Sequence, residues 1–157
     1  MQRWTGTWLS GLGAAGVSLR APGQWRGQRL GLPEHGAGAI AGFGPRLGAV
    51  CIDLVVAGLI GGLGNVVAGD PSPVLRQATG IAALLLIYAA LLPTAGQTFG
   101  MRVVKLRVIR LADGRPLGFA QAVVRGVLVI LTIPALFTDR DGRGWHDKAV
   151  GSAIVRA

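Results

Sequence analysis

Residues 47–68 read LGAVCIDLVVAGLIGGLGNVVA, 22 residues with a single charge, Asp53. At a helical rise of about 1.5 Å per residue the stretch reaches about 33 Å, enough for a hydrocarbon core of about 30 Å. Outward from it, residues 78–95 read ATGIAALLLIYAALLPTA, without a charge, and as a helix they cover about 27 Å. Asp70-Pro71-Ser72-Pro73 between the two runs reads as a turn. Pro93 falls near the end of the second run, where breaking a helix costs little. Two membrane helices are the first expectation.

Composition points the same way. The 157 residues are 51% hydrophobic and 15% charged, against about 25% charged in ordinary soluble domains. Disordered chains are polar and charge-rich, so disorder is excluded. The 26 glycines have no three-residue period, which excludes a collagen-like chain. Cys51 is the single cysteine, so no internal disulfide forms.

A third apolar run, residues 119–137, reads FAQAVVRGVLVILTIPALF and contains Arg125. Counted after Arg125 it has 12 residues, about 18 Å of helix, and includes Pro134. Runs of that length are commonly re-entrant or interfacial. Between the second and third runs lies a basic connector, GQTFGMRVVKLRVIRLADGRPLG, in which Arg102, Lys105, Arg107, Arg110 and Arg115 face one acid, Asp113. The alternation in VKLRVIRL and the Asp113-Gly114 turn signal favour a short strand, with an interfacial helix as the alternative. The chain closes on a second strand-like stretch, VGSAIVR.

Residues 1–41 are rich in Gly and Pro and read as a flexible tail before a membrane domain at 42–157. Arg3 followed by WLSGLGAAGV imitates a secretory signal weakly, because glycine dilutes its apolar core. Five arginines precede the first span, five basic residues crowd the connector, and Arg76 alone lies in the 69–77 loop. Positive charge collects on the cytoplasmic side, so the N-terminus and connector are expected inside. If the third run spans, the C-terminus lies outside. If it re-enters, the C-terminus stays inside and its strand can pair with VKLRVIRL. The second arrangement is preferred, because it gives the final strand's backbone groups partners.

Asp53 is the conspicuous residue. A carboxylate at the centre of a membrane helix costs about 2.5–3.5 kcal/mol on insertion scales, so it normally faces the bundle and has a partner. Arg46 precedes it by two helical turns and shares its face, with Ala57, Gly64 and, beside them, Gly61. Small residues there favour close helix packing. Arg125 is the second candidate, able to snorkel to the interface or to pair with Asp53 across the bundle. Two readings stand for these charges: an ion pair that fixes register, or a protonatable, cation-binding carboxylate in a pathway. Trp145-His146-Asp147 forms a polar cluster at the membrane edge. The acids Asp139, Asp141 and Asp147 are interleaved with basic residues and read as a solvated, salt-bridged loop. DRDGRG lacks the spacing of a calcium loop. Cys51, His35 and His146 have no metal spacing, and no phosphate or dinucleotide fingerprint is present. No cofactor, metal, nucleic-acid partner or enzymatic activity is therefore expected. The basic connector meets anionic headgroups instead, at about 1 kcal/mol per residue.

In order along the chain, PRLGAVCIDLVVAG, GQTFGMRVVKLRVIRLADGRPLG, AVVRG and GRGWHDKAVGSAIV resemble the signature of the RDD family of bacterial membrane proteins. The resemblance covers about residues 42–157. Arg46 and Asp53 match the arginine and first aspartate for which the family is named, and Asp147 best matches the second aspartate. Gly96, Gln97, Thr98 and Gly100 match the family connector, and Arg125 an arginine at the head of the third run. The N-terminal WTGTWLSG and GQRLGLPEHG look actinobacterial, a branch in which the third segment is short. One departure is Met101, which stands before Arg102 where the family has Lys or Arg. The resemblance implies a small helical, multi-pass protein of the bacterial cell membrane, for which exchange of monovalent cations against protons, or another part in transport, has been proposed. Three segments enclose little, so a pathway needs several copies or a partner. The competing expectation is an accessory or scaffold subunit of a larger membrane assembly. In fold class this is an all-α membrane protein: two transmembrane helices, a third short or re-entrant helix, and a strand pair at the cytoplasmic face.

Overall fold

The computed structural model describes residues 24–69, 72–131 and 143–157. Its backbone is mostly helical, with one small antiparallel sheet. Helix α1 covers Phe43–Val67 and α2 covers Pro73–Ala95. Both are long and apolar enough to cross a membrane, yet only 22% and 28% of their most apolar windows are buried inside the protein. Leu54, Val55, Leu59, Leu63, Val66 and Leu86 are each more than half exposed. A core helix of a soluble protein hides such residues; here they face outward, as they do toward lipid.

Pro45 lies in the first turn of α1, where its missing N–H would have had no partner. Ser72 caps α2 by accepting a hydrogen bond from the Leu75 N–H, and Pro73 follows at the first helical position. The helix runs past Pro93 and ends at Gly96, whose left-handed φ of 67° lets its N–H reach the Leu92 carbonyl. The buried stripe of α1 is Ala49, Asp53, Ala57 and Gly61, spaced by four. Gly61 lies so close to α2 that a Cβ there would stand 2.9 Å from the Gly80 Cα. Gly64, expected on this stripe, is exposed.

The connector folds as a one-turn helix α3, Phe99–Val103, followed by strand β1, Leu106–Arg110. Helix α4, Phe119–Ile130, packs along α2. A short helix α5, Trp145–Ala149, leads into strand β2, Ser152–Arg156. The two strands pair antiparallel, with Leu106 opposite Arg156 and Arg110 opposite Ser152, so the pairing of VKLRVIRL with the final strand is present. The sequence-expected membrane segments at 47–68, 78–95 and 119–137 correspond to α1, α2 and α4, with residues 132–137 outside the described residues. So are Asp70 and Pro71 of the Asp70-Pro71-Ser72-Pro73 turn, and so is the tail before residue 24. Residues 24–41, assigned by composition to that tail, dock here: Ile40 bridges to Val155, and Ala41 donates its N–H to the Ile154 carbonyl. Ile40, Ala153 and Val155 form a small second core there, beside the larger one between the helices.

Candidate functional site

The charged residues singled out in the sequence converge where α1, α2, α3, α4 and α5 meet the sheet. Asp53 projects from the buried stripe of α1 and is 0% exposed. Its Oδ2 accepts from the Thr98 hydroxyl at 2.5 Å and its Oδ1 from the Gly100 N–H at 2.8 Å. Thr98 Oγ1 in turn accepts from the Met101 N–H at 3.2 Å. Thr98 and Asp53 thereby cap the α3 N-terminus together. This contact requires glycine at 100, because a Cβ there would run into the Ala49 carbonyl oxygen of α1. The Tyr88 phenol of α2 lies near both the Asp53 carboxylate and Arg125.

Asp147, in the single turn of α5, is also 0% exposed. It is the anion for two arginines. Arg125 Nη1 of α4 donates to its Oδ1, and Arg46 Nη1 of α1 lies 3.3 Å from its Oδ2. Arg46 Nη2 also donates to the Ile154 carbonyl at 3.4 Å. The Gly144 N–H and the Ser152 hydroxyl add two further donors to Asp147, at 3.3 and 3.4 Å. His146 Nε2 stands 3.6 Å from Oδ1. Gln121 ties α4 to the same corner, accepting from the Gly118 N–H and donating to the Val150 carbonyl.

Two expectations are corrected by this arrangement. Arg125, 1% exposed, neither snorkels nor pairs with Asp53; its partner is Asp147, because α5 brings that carboxylate to the inner face of α4. Asp147 is not part of a solvated loop. It is sealed under Arg46 and Arg125, while Asp139 and Asp141 lie outside the described residues. Arg46 and Asp53 share a face of α1 as expected, but they serve different partners. The basic connector residues Arg102, Lys105, Arg107 and Arg115 are exposed, and Arg110 pairs with Asp113 at 3.3 Å. Tyr88, Gln121 and Ser152 were not singled out beforehand. Tyr88 carried a signal, being the chain's one tyrosine and set inside an apolar run. Gln121 and Ser152 carried none.

A groove of about 500 Å³ adjoins the cluster, within the range of about 300–1,000 Å³ usual for ligand sites. Gly80, Leu84 and Tyr88 of α2, Leu47, Cys51 and Gly58 of α1 and Val129 of α4 line it. Arg46, Arg125 and His146 line it at the sheet end, and Arg76 lines it elsewhere. Among the described residues no Asp or Glu lines it.

Among known proteins, no curated protein and no solved structure matches. The model of one family, the RDD family, matches residues 40–151, well over half of the chain and all of the charged cluster. With its apolar, outward-facing helices and its buried Arg46, Asp53 and Asp147, this membrane protein belongs to the RDD family.

Proposed function

We propose that this protein takes part in transport across the bacterial cell membrane as an oligomer, exchanging monovalent cations against protons with Asp53 as the intramembrane carboxylate. The observation that carries the reading is the cluster of Asp53, Thr98 and Tyr88. A carboxylate of α1 and two hydroxyl-bearing side chains, one from α2 and one from the connector, gather in the protein interior, and oxygen is the ligand type hard cations prefer. An ionisable group within a membrane segment is a functional-site candidate by default. In this reading α1 and α2 cross the bilayer, α4 enters and returns, and the N-terminus and connector face the cytoplasm. The crowding of basic residues on that side supports the orientation, and the pairing of β1 with β2 supports the return of α4. No catalytic residue and no cofactor enter the proposal.

The test is proton flux driven by a monovalent-cation gradient in proteoliposomes. The parent is expected to exchange, and Asp53→Asn to lose at least about ten-fold in rate. Equal flux from both, or flux from neither, overturns the proposal.

A second reading, an accessory subunit without transport of its own, is favoured by the closure of Asp53. Both of its oxygens already hold donors, and it does not line the groove. Cys51 is exposed on α1 and provides the probe. Crosslinking from Cys51 in native membranes is expected to capture a neighbour, and a monomer without one counts against this reading.

A further inference from the structure

The groove beside the cluster has a division of chemistry that neither the exchange reading nor the accessory reading uses. Its lining is mostly apolar, and its charged lining groups are Arg46, Arg76 and Arg125; Asp147, which pairs with Arg46 and Arg125, is not among the described residues that line it. Along α1 it extends from Phe43 to Gly58, about 22 Å of helix, close to the length of an extended acyl chain. Arg46 stands in the first turn of α1, with the sheet and α5 beyond it, at the level where the apolar layer gives way to polar structure. Arg125 is buried against the same end, and its Nε–H has no acceptor among the described residues.

We propose that this groove binds one anionic phospholipid of the surrounding bilayer, an acyl chain lying along α1 and α2 and the phosphate seated at Arg46 and Arg125. Charge complementarity selects this occupant. Guanidinium groups recognise phosphate by paired hydrogen bonds, and a phosphate held against an apolar trough is the chemistry of an anionic lipid. A helix from a second copy brings no anion to the charged end. The one acid in α1, α2 or α4 is Asp53, which is fully buried against α3. Asp147 offsets one of the two positive charges of Arg46 and Arg125, which leaves one in excess at this end of the groove.

The site is tested without transport, so its outcome is separate from that of the flux assay. The full chain is reconstituted with equimolar phosphatidylglycerol and phosphatidylcholine of identical acyl chains, and retained lipid is counted by native mass spectrometry. One phosphatidylglycerol per chain is expected, preferred by about five-fold or more, the effect of one juxtamembrane cation. Arg46→Gln is expected to remove the preference, and Arg46→Lys to restore part of it. Gly58→Leu places a side chain into open space in the groove and leaves every charge in place. It is expected to reduce retention of both lipids about ten-fold, as displacing about two methylene groups does, and it decides the matter if Arg46→Gln does not fold. Arg102→Gln, on the exposed connector, is expected to change nothing. Equal retention of the two lipids, an equal loss with Arg102→Gln, full retention by Gly58→Leu, or a dimer carrying no lipid overturns the proposal.

Discussion

Replacing Asp147 by Asn tests whether the two arginines hold the molecule together through one carboxylate. Asn keeps the size and one acceptor oxygen but removes the charge. In the parent, Asp147 receives Arg125, Arg46, the Gly144 N–H and the Ser152 hydroxyl. Two of these are hydrogen bonds between opposite charges, each contributing about 1.5–3 kcal/mol. The larger effect is what remains behind: Arg125, 1% exposed, without its anion. Removing one partner of a buried pair costs about 3–5 kcal/mol, so Asp147→Asn is expected to lose about 3 kcal/mol. Arg125→Met in the same chain removes the stranded charge, and the Asn amide oxygen still accepts from the Gly144 N–H and the Ser152 hydroxyl. The double variant is therefore expected to recover all but about 1 kcal/mol of the loss. Urea unfolding in mixed micelles, followed by circular dichroism, reads all four members of the double-mutant cycle. A loss below about 1 kcal/mol for Asp147→Asn, or strict additivity with Arg125→Met, refutes the reasoning.

Four further outcomes follow from the same contacts. Thr98→Val removes the hydroxyl donor to Asp53 at nearly constant shape and is expected to lose about 1.5–3 kcal/mol by the same unfolding assay, with Thr98→Ser retaining most of the stability. Gly100→Ala sets a methyl against the Ala49 carbonyl and is expected to lose at least about 1–3 kcal/mol, whereas Gly58→Ala, with open space around it, is expected to be neutral or to gain up to about 1 kcal/mol; thermal unfolding compares them directly. Gly61→Val is expected to push α1 off α2 at Gly80 and to lower the melting temperature more than Gly62→Val, whose position is open. In a Cys51→Ser background, cysteines at Arg107 and Arg156 are expected to react with an impermeant thiol reagent from the same side of the membrane, because the two residues lie on paired strands; reaction from opposite sides refutes the pairing.

Much of the architecture was legible in the sequence, and the reasons are specific. The run at 47–68 announces its helix because lipid demands length and apolarity in one uninterrupted stretch. VKLRVIRL announces β1 because its period of two matches a strand with one buried side, and Leu106 and Val108 are indeed buried while Arg107 is exposed. The start of α1 at Phe43 was less legible, because Gly44, Pro45 and Arg46 belong to its first turn but interrupt the apolar run. For the cluster, spacing along one helix placed Arg46 and Asp53 on a common face. It carried no information on how α4 and α5 rotate against α1, and that rotation assigns Arg125 to Asp147 rather than to Asp53. The bond between Thr98 and Asp53 spans 45 residues of sequence, and only the close approach allowed by Gly100 creates it. Asp147 misled for the opposite reason: neighbouring charges in sequence suggested water, while its one-turn helix carries it inward.

The two aspartates perform related structural work on different parts of the chain. Asp53 fastens the connector to α1, since Thr98 and the Gly100 N–H both belong to the segment that leaves α2. Asp147 fastens the C-terminal segment to α1 and α4 at once, since Arg46 and Arg125 come from those two helices. β1 then joins the two fastened segments, pairing with β2 and donating its Val108 N–H to the carbonyl of Gly96, which ends α2. With both strands in one sheet, the chain between them returns to the end where it began. Helix α4, with 12 residues, rises about 18 Å, less than a core of about 30 Å. The charges thus sit together at the sheet end because that is where four chain segments must be held: the head of α1, the exit of α2, the start of α4 and the approach to β2. An arrangement so tied leaves the apolar trough between α1 and α4 as the part free to receive a molecule from the bilayer, with Arg46 shared between the fastening and the trough.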